Sequence, residues 1–252
     1  IQPYVRSVDI GYGLNLEAGL TDVIQRTLIV DKAWDPKVRA QLIKYLKPGH
    51  TFLDIGANIG YFSLLASRLV GDQGLVIAVE PSRRALSQLA SNVQNNSLDN
   101  ITILSVASGE RLAIEKLSQA TPNNIGASSL SGHITSIAYE NVIVAPLDTI
   151  LLPLGVIPDF IKIDAEGFEL QVLLGIQQLL EKHHPIVVCE VTLEWLKCNQ
   201  GESGCILGFM QGLGYQSFKI ADGEPFELLA VGPDISGEFG FQEEVLFLFK
   251  GD

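Results

Sequence analysis

An α/β domain on a doubly wound, mostly parallel sheet is the fold that this sequence predicts, and three observations predict it. From about residue 50 onward, short β-branched or apolar runs alternate with longer segments of 3.6-residue periodicity. The strand-like runs are apolar throughout, as expected when helices cover both faces of a sheet. The 252 residues, 47% hydrophobic and 18% charged, suffice for one full-sized core and exclude wholesale disorder. Seven strands are expected. The last two lack a helix of length between them and should pair as an antiparallel hairpin at one edge.

The elements follow in order. Residues 1–49 are turn-rich and amphipathic and end in a predicted helix, Pro36 to Leu46, so they read as an N-terminal cap on a domain of residues 50–252. Thr51 to Ile55 is the first buried strand, Gly56 to Gly60 a tight turn, and Tyr61 to Leu69 a helix closed by Gly71. Leu75 to Val79 is a second strand, ending at Glu80-Pro81. Arg83 to Asn96 carries Ala85, Leu86, Leu89, Ala90 and Val93 on one helical face. Ile101 to Val106 is a third strand, and residues 110–147 are less regular, with a polar loop at Asn123 to Ser131. Phe160 to Ile163 then runs into Asp164-Ala165-Glu166-Gly167, a helix covers Phe168 to Lys182, and Pro185 to Val191 is a continuous buried strand. A helix near Ile206 to Leu213 and strands at Tyr215 to Ile220 and Glu244 to Phe249 complete the chain.

Charge and cysteine usage narrow the function classes. Lys and Arg number 17 against 29 Asp and Glu, a net charge of −12 that repels phosphate backbones and argues against general nucleic-acid binding. No apolar run approaches the roughly 18 residues that span a bilayer. The opening Ile1-Gln2-Pro3-Tyr4 shows neither the basic nor the apolar region of a secretory signal. Cys189, Cys198 and Cys205 form no CxxC, and His50, His133, His183 and His184 do not complete zinc-ligand spacing. Ordinary thiols in a reducing cytoplasm are the expectation, with no structural metal.

Ligands of open α/β sheets bind beyond the C-terminal strand ends, at the point where strand order reverses. There the sequence places Asp54-Ile55-Gly56-Ala57-Asn58-Ile59-Gly60, whose glycines should let backbone approach a ligand closely. Glu80 ends the next strand, where a carboxylate can accept both ribose hydroxyls of an adenosine. Asp54-x-Gly56-Ala57-Asn58-x-Gly60 with Glu80-Pro81 resembles the cofactor site of class I S-adenosylmethionine-dependent methyltransferases. The block Ile161-Lys162-Ile163-Asp164-Ala165-Glu166-Gly167-Phe168-Glu169 is similar to the hallmark of the FkbM family of methyltransferases. Ala33-Trp34-Asp35-Pro36 resembles the family's entry segment, with Asp where Glu is commoner. The resemblance implies methyl transfer from S-adenosylmethionine, with S-adenosylhomocysteine as product, to an oxygen of a natural product, sugar or peptide. It places the cofactor on Asp54, Gly56, Asn58, Gly60, Glu80 and Asp164. The sulfonium is suited by Asp54, Glu80, Asp164 and Glu166, with no neutralising cation expected beside them. An NAD-dependent oxidoreductase on the same fold is the alternative enzyme, though the longer G-x-G-x-x-G spacing is absent. A non-catalytic binding module is the other alternative.

An alcohol is a poor nucleophile at neutral pH, so methyl transfer to one needs a base. Asp164 and Glu190, at the ends of the fourth and fifth strands, should open onto one cleft. Asp164 is the leading candidate. Glu190 is open between base, orienting group and solvent-facing residue, and His133 is a further candidate base against a merely solvated loop histidine. Glu166 and Glu169 serve either chemistry or the N-terminus of the following helix. Mg²⁺ held by Asp164 and Glu190 is a possible but unfavoured cofactor. Ser105, Val106, Ala107 and Ser108 are the natural adenine contacts, Asn123 to Ser131 is a candidate lid, and Trp34 either lines the acceptor pocket or anchors the cap.

Overall fold

The protein is described by a computed structural model covering residues 5–20, 22–119, 130, 138–192, 206–221, 228–231 and 242–250. The cap opens with an antiparallel hairpin, β1 (Val5–Gly11) and β2 (Leu14–Gly19), followed by helices α1 (Val23–Asp31) and α2 (Pro36–Tyr45). The body then alternates β3 (Thr51–Ile55), α3 (Tyr61–Val70), β4 (Leu75–Val79), α4 (Arg83–Asn95) and β5 (Ile101–Leu104). Strands β6 (Ala107–Ser108), β7 (Ala113–Gln119) and β8 (Ala138–Ala145) form a separate small sheet in the order β6-β8-β7. Helix α5 (Asp148–Leu151) leads to β9 (Phe160–Ile163), α6 (Glu169–Gly175), α7 (Gln177–His183) and β10 (Ile186–Thr192). Helix α8 (Ile206–Gly212) and strands β11 (Tyr215–Ile220), β12 (Leu228–Val231) and β13 (Gln242–Phe249) follow.

The main sheet has the order β12-β11-β13-β10-β9-β3-β4-β5. Strands β10, β9, β3, β4 and β5 are mutually parallel, so the fold is the doubly wound α/β sheet that the apolar strands predict. Two details differ from expectation. The described strands number eight, because the short β12 adds an edge. The two strands expected as an antiparallel hairpin, β11 and β13, do pair antiparallel, but β13 is the inner one, lying between β10 and β11 and antiparallel to both. Burial explains the placement, since Val245, Leu246 and Phe247 are fully buried and only a central position covers both faces of β13.

Alternate residues of the strands feed two cores. Leu53, Ile55, Ile161 and Ile163 face the α6–α8 side, while Phe52, Val76 and Phe160 face α3 and the cap. The Phe52 and Phe160 rings meet at 5.9 Å. The helix expected over Phe168 to Lys182 is broken at Ile176, where Asp148 accepts from the amides of Gln178 (2.8 Å) and Leu179 (3.1 Å) and so caps α7. Gly175 permits the break to pack: a Cβ there would lie 2.3 Å from the Gly109 carbonyl oxygen.

The cap docks through an unusual seam. Along α4, Gln88, Asn92 and Asn96 recur every fourth residue and present amides to the free edge of β2. Asn96 both accepts from Asn15 N (2.8 Å) and donates to Asn15 O (2.6 Å); Asn92 Oδ1 accepts from Glu17 N (2.8 Å); Gln88 donates to Glu17 O (2.8 Å). The spacing works because four helical residues advance about 6 Å and two strand residues about 6.7 Å. Gln25 completes the edge by accepting from Gly19 N. Asn92 also donates to Ile59 O (2.9 Å), which links this seam to the glycine-rich turn.

Asn92 is buried and holds two backbone groups at once, so Asn92→Ala should lower stability by about 2–4 kcal/mol. Chemical unfolding combined with amide exchange at Glu17 checks this; unchanged exchange would show that the seam does not hold the hairpin.

Candidate active site

The order of strands reverses between β3 and β9, and a cleft opens beyond their C-terminal ends. The turn after β3 is shaped by the protein itself. Gly56 has φ +77°, and a Cβ there would lie 1.8 Å from the Asp164 carbonyl oxygen. Gly60 has φ +94°, and a Cβ there would lie 2.5 Å from Leu89 Cδ1. The close approach expected toward a ligand is thus first an approach to the β9 loop and to α4. Gly56 still lines the cleft, whereas Gly60 is not among its walls.

Glu80 leaves β4 at one end of the cleft, almost fully buried. Its Oε2 accepts from Asn58 N and its Oε1 from Ser82 N, each at 2.8 Å. Each carboxylate oxygen keeps a lone pair for a ligand hydroxyl. Burial pushes this carboxyl up to about 7 against the two amide bonds that lower it. Asn58, at φ +49°, turns a buried Oδ1 with no protein partner. Val106, Ala107 and Ser108 line the same end, and Ser108 Oγ is likewise buried without a partner. Ser105 is exposed and is not one of the lining residues. Strand β5 ends at Leu104, two residues earlier than expected, and the chain turns there to pair β6 with β8.

Below the turn stands Lys162, which sequence reasoning passed over. Its ammonium is buried, donates to Gly56 O at 3.0 Å, and lies 3.2 Å from Asp164 Oδ2 and 3.5 Å from Asp54 Oδ1. The ring of Phe62 covers it at 5.5 Å. Burial alone would lower the lysine's pKa, but Asp164 and Asp54 outweigh it and hold the ammonium above its ordinary range. The expectation that no cation neutralises these carboxylates is therefore corrected: an apolar strand carried one into their midst. Asp54 itself is fully buried, accepts from Ser63 Oγ at 2.6 Å, and is not among the cleft walls. The available signal was a lone lysine between Phe160, Ile161 and Ile163, in register with Asp54 on β3.

At the other end the cleft gathers Asp164, Glu166, Glu190 and two acids that were not singled out as site residues, Asp35 and Glu244, beside Trp34 and Phe168. Asp164 is one-third exposed. Glu166 has φ +49°, and burial, then Asp164 and Glu169, push its carboxyl up to about 8. Glu169 is buried behind the loop, where Oε1 accepts from Ala165 N (3.2 Å) and Gly167 N (2.9 Å), so it holds the loop shape. Trp34 both packs on the cap core and lines the cleft. His133 and all of Asn123 to Ser131 except Leu130 lie outside the described residues; Leu130 lines the cleft. Among the described residues, no three His, Cys, Asp or Glu side chains gather as a metal site.

Residues 54–217 match the family described as the methyltransferase FkbM domain. A curated relative, the 23S rRNA (uracil(1939)-C(5))-methyltransferase RlmD of Psychrobacter arcticus, is 36% identical over 89 residues, which is 35% of this chain. The match spans only 17% of that relative's length. Among solved structures, the precorrin-6y C5,15-methyltransferase of Geobacter metallireducens aligns with a TM-score of 0.50 at 16% identity, covering 87% of this chain and 90% of that one. The methyltransferase FkbM of Methylobacillus flagellatus aligns with a TM-score of 0.50 at 17% identity, covering 90% of this chain and 60% of that one. These two share the fold.

Lys162→Met should cost about 3–5 kcal/mol, because Asp54 would remain as a buried charge without its cation. Adding Asp54→Asn removes that charge and should recover at least half of the loss. Equilibrium urea unfolding of both variants is the check; equal stabilities would show that the lysine does not neutralise Asp54.

Proposed function

We propose that this chain, which belongs to the FkbM methyltransferase family, transfers a methyl group from S-adenosylmethionine to an oxygen of a small or medium-sized acceptor. The observation that carries the reading is the Glu80 cradle: a buried carboxylate, oriented by two backbone amides, at the strand end beside the Asn58 turn. The residues present fit the cofactor. Glu80 holds the ribose hydroxyls, Val106, Ala107 and Ser108 border the adenine, and Gly56 and Asn58 border the amino-acid end. The unpartnered Ser108 Oγ and Asn58 Oδ1 are the polar atoms left over for it. The cofactor supplies an electrophilic methyl on a positively charged sulfur.

Everything else is asked of the chain. The acceptor oxygen must be aligned with that methyl, and positioning supplies much of the rate. Asp164 takes the acceptor's proton in this reading, which its partial exposure to the cleft and its contact with Lys162 support. Glu190 lies on the same wall as an orienting group. Trp34 and Phe168 offer apolar faces for the acceptor's carbon skeleton. The acceptor is a hydroxyl or carboxylate of a natural product, sugar or peptide, and the acidic cleft disfavours a polyanion such as RNA. The cap, by contributing Trp34 and Asp35, completes the acceptor end, and reaction in the cytoplasm fits the reading. A thermal-shift panel of S-adenosylmethionine, S-adenosylhomocysteine and NAD tests the cofactor choice, since a ligand stabilises the state that it binds. Stabilisation by NAD alone would overturn it.

Two further outcomes are expected. Ionised Glu80 accepts two hydroxyl bonds, so proton and ligand compete at its carboxyl. Affinity for S-adenosylhomocysteine should therefore fall as pH drops below about 7 and level off above it. Glu80→Gln should bind roughly tenfold more weakly or worse and lose most of this pH dependence, read by calorimetry. Asp164→Asn keeps the side chain's size and removes its proton affinity; the methyl-transfer step should slow by about 10²–10⁴ with S-adenosylhomocysteine affinity within a few fold of wild type. Single-turnover measurement with any accepted substrate decides this, and a wild-type rate would exclude Asp164 as the base.

A further inference from the structure

We propose that Asn92 and Arg39 are positioning residues that tie the N-terminal cap to the glycine-rich turn, so that a cofactor seated on the turn steadies the cap. This rests on the methyltransferase reading above and adds how the acceptor end, part of which the cap supplies, is set in place. Neither side chain is a wall of the cleft. Each holds one group of the turn, or of the helix that leaves it, together with one backbone group of the cap hairpin. Asn92, buried on α4, donates from Nδ2 to Ile59 O at 2.9 Å, while its Oδ1 accepts from Glu17 N on β2 at 2.8 Å. Arg39, on α2, donates from Nη1 to the hydroxyl of Tyr61 at 2.8 Å and to Ile10 O on β1 at 3.2 Å. Tyr61 opens α3 directly after Gly60. The two strands of the hairpin are thus fastened separately, β2 to Ile59 and β1 to Tyr61.

The turn has little freedom of its own to absorb a shift of these anchors. Gly56, Asn58 and Gly60 stand at φ +77°, +49° and +94°. Gly56 N and Ala57 N both donate to Val79 O at 3.0 Å, and Asn58 N donates to Glu80. A displacement of Ile59 or Tyr61 therefore reaches Asn58, which lines the cleft with a buried Oδ1 that no protein atom satisfies. The cap faces the turn with Ile24 and Trp34, which line both the cleft and a smaller chamber walled by Leu28, Ile59 and Tyr61. A ligand on Gly56 and Asn58 lies between the turn and these cap side chains. Behind it, Asn92 and Arg39 join the same two elements. Binding and cap docking are thereby coupled, and coupling is reciprocal: a cofactor that orders the hairpin binds more tightly because the hairpin is docked.

Strands β1 and β2 supply no wall of the cleft, so their response to ligand reads the coupling rather than contact. Amide exchange of the wild type, with and without saturating S-adenosylhomocysteine, is the first measurement. The hairpin should slow about fivefold or more beyond β11, which also contributes nothing to the cleft. Two variants then cut the ties. Asn92→Asp keeps the acceptor for Glu17 N and sets an oxygen against Ile59 O; Arg39→Met keeps the stem and removes both hydrogen bonds. Each should bind S-adenosylhomocysteine about fivefold or more weakly by calorimetry and lose the excess protection of the hairpin. Asn96→Ala is the control: it opens the Asn15 end of the same seam and leaves the turn untouched, so affinity should stay within about twofold of wild type. Wild-type affinity in either folded cut variant overturns the proposal. So does a loss in Asn96→Ala as large as theirs, because the ties would then serve general stability only. Absence of excess slowing in the wild-type hairpin overturns it as well, and that measurement needs no variant to fold. A wild-type protein that binds no S-adenosylhomocysteine fails the methyltransferase reading itself, which separates the two failures.

Discussion

A single buried ammonium organises the working end of this sheet. Lys162 touches the carbonyl of the glycine turn, the aspartate at the end of β3 and the aspartate at the end of β9. Remove its charge and the turn loses its anchor, Asp54 becomes a buried orphan, and Asp164 loses the contact that sets its direction. Such pairs contribute little net stability, since desolvation of both partners offsets most of their attraction. What this one contributes is geometry. The same loop must satisfy Gly56, whose missing Cβ leaves room for the Asp164 main chain, so the two halves of the cleft cannot move independently.

Much of this was legible in advance. The parallel sheet, the order of helices and strands, and the acids at the strand ends follow from periodicity and from two motifs. What was not legible is long-range. The insertion of β13 between β10 and β11 is decided by which strand needs cover on both faces, and nothing local in Val245-Leu246-Phe247 states its neighbours. The break at Ile176 depends on Asp148, some thirty residues away. The two-stranded cap hairpin went unseen because its core, Leu14 and Leu16, is completed by residues of other elements. At the site, Glu80 and Asp164 were found from strand ends, while Lys162 was not, because a charge inside an apolar strand reads locally as an exception rather than as a partner. Asp35 and Glu244 come together only through folding, being more than two hundred residues apart.

Charge is distributed in the cleft by element. The β3–β4 end holds the Glu80 carboxylate by two backbone amides, and so presents directed acceptors. At the α2–β13 end Asp35 and Glu244 line the cleft together, and burial raises both carboxyl groups above their ordinary range. The two ends therefore differ in what surrounds their acids: backbone amides at one, burial beside other acids at the other.

The seam between α4 and β2 has its own consequence. A two-stranded ribbon normally leaves a row of open N–H and C=O groups that can recruit a strand from another chain. Here the amides of Gln88, Asn92, Asn96 and Gln25 occupy that row from Asn15 to Gly19, so the helix stands where a third strand would pair. The hairpin edge is thereby sealed against edge-to-edge aggregation without a proline on it. The seal acts on backbone alone. The side chains of Asn15 and Glu17 can change freely without reopening it, whereas the three spaced amides of the helix cannot.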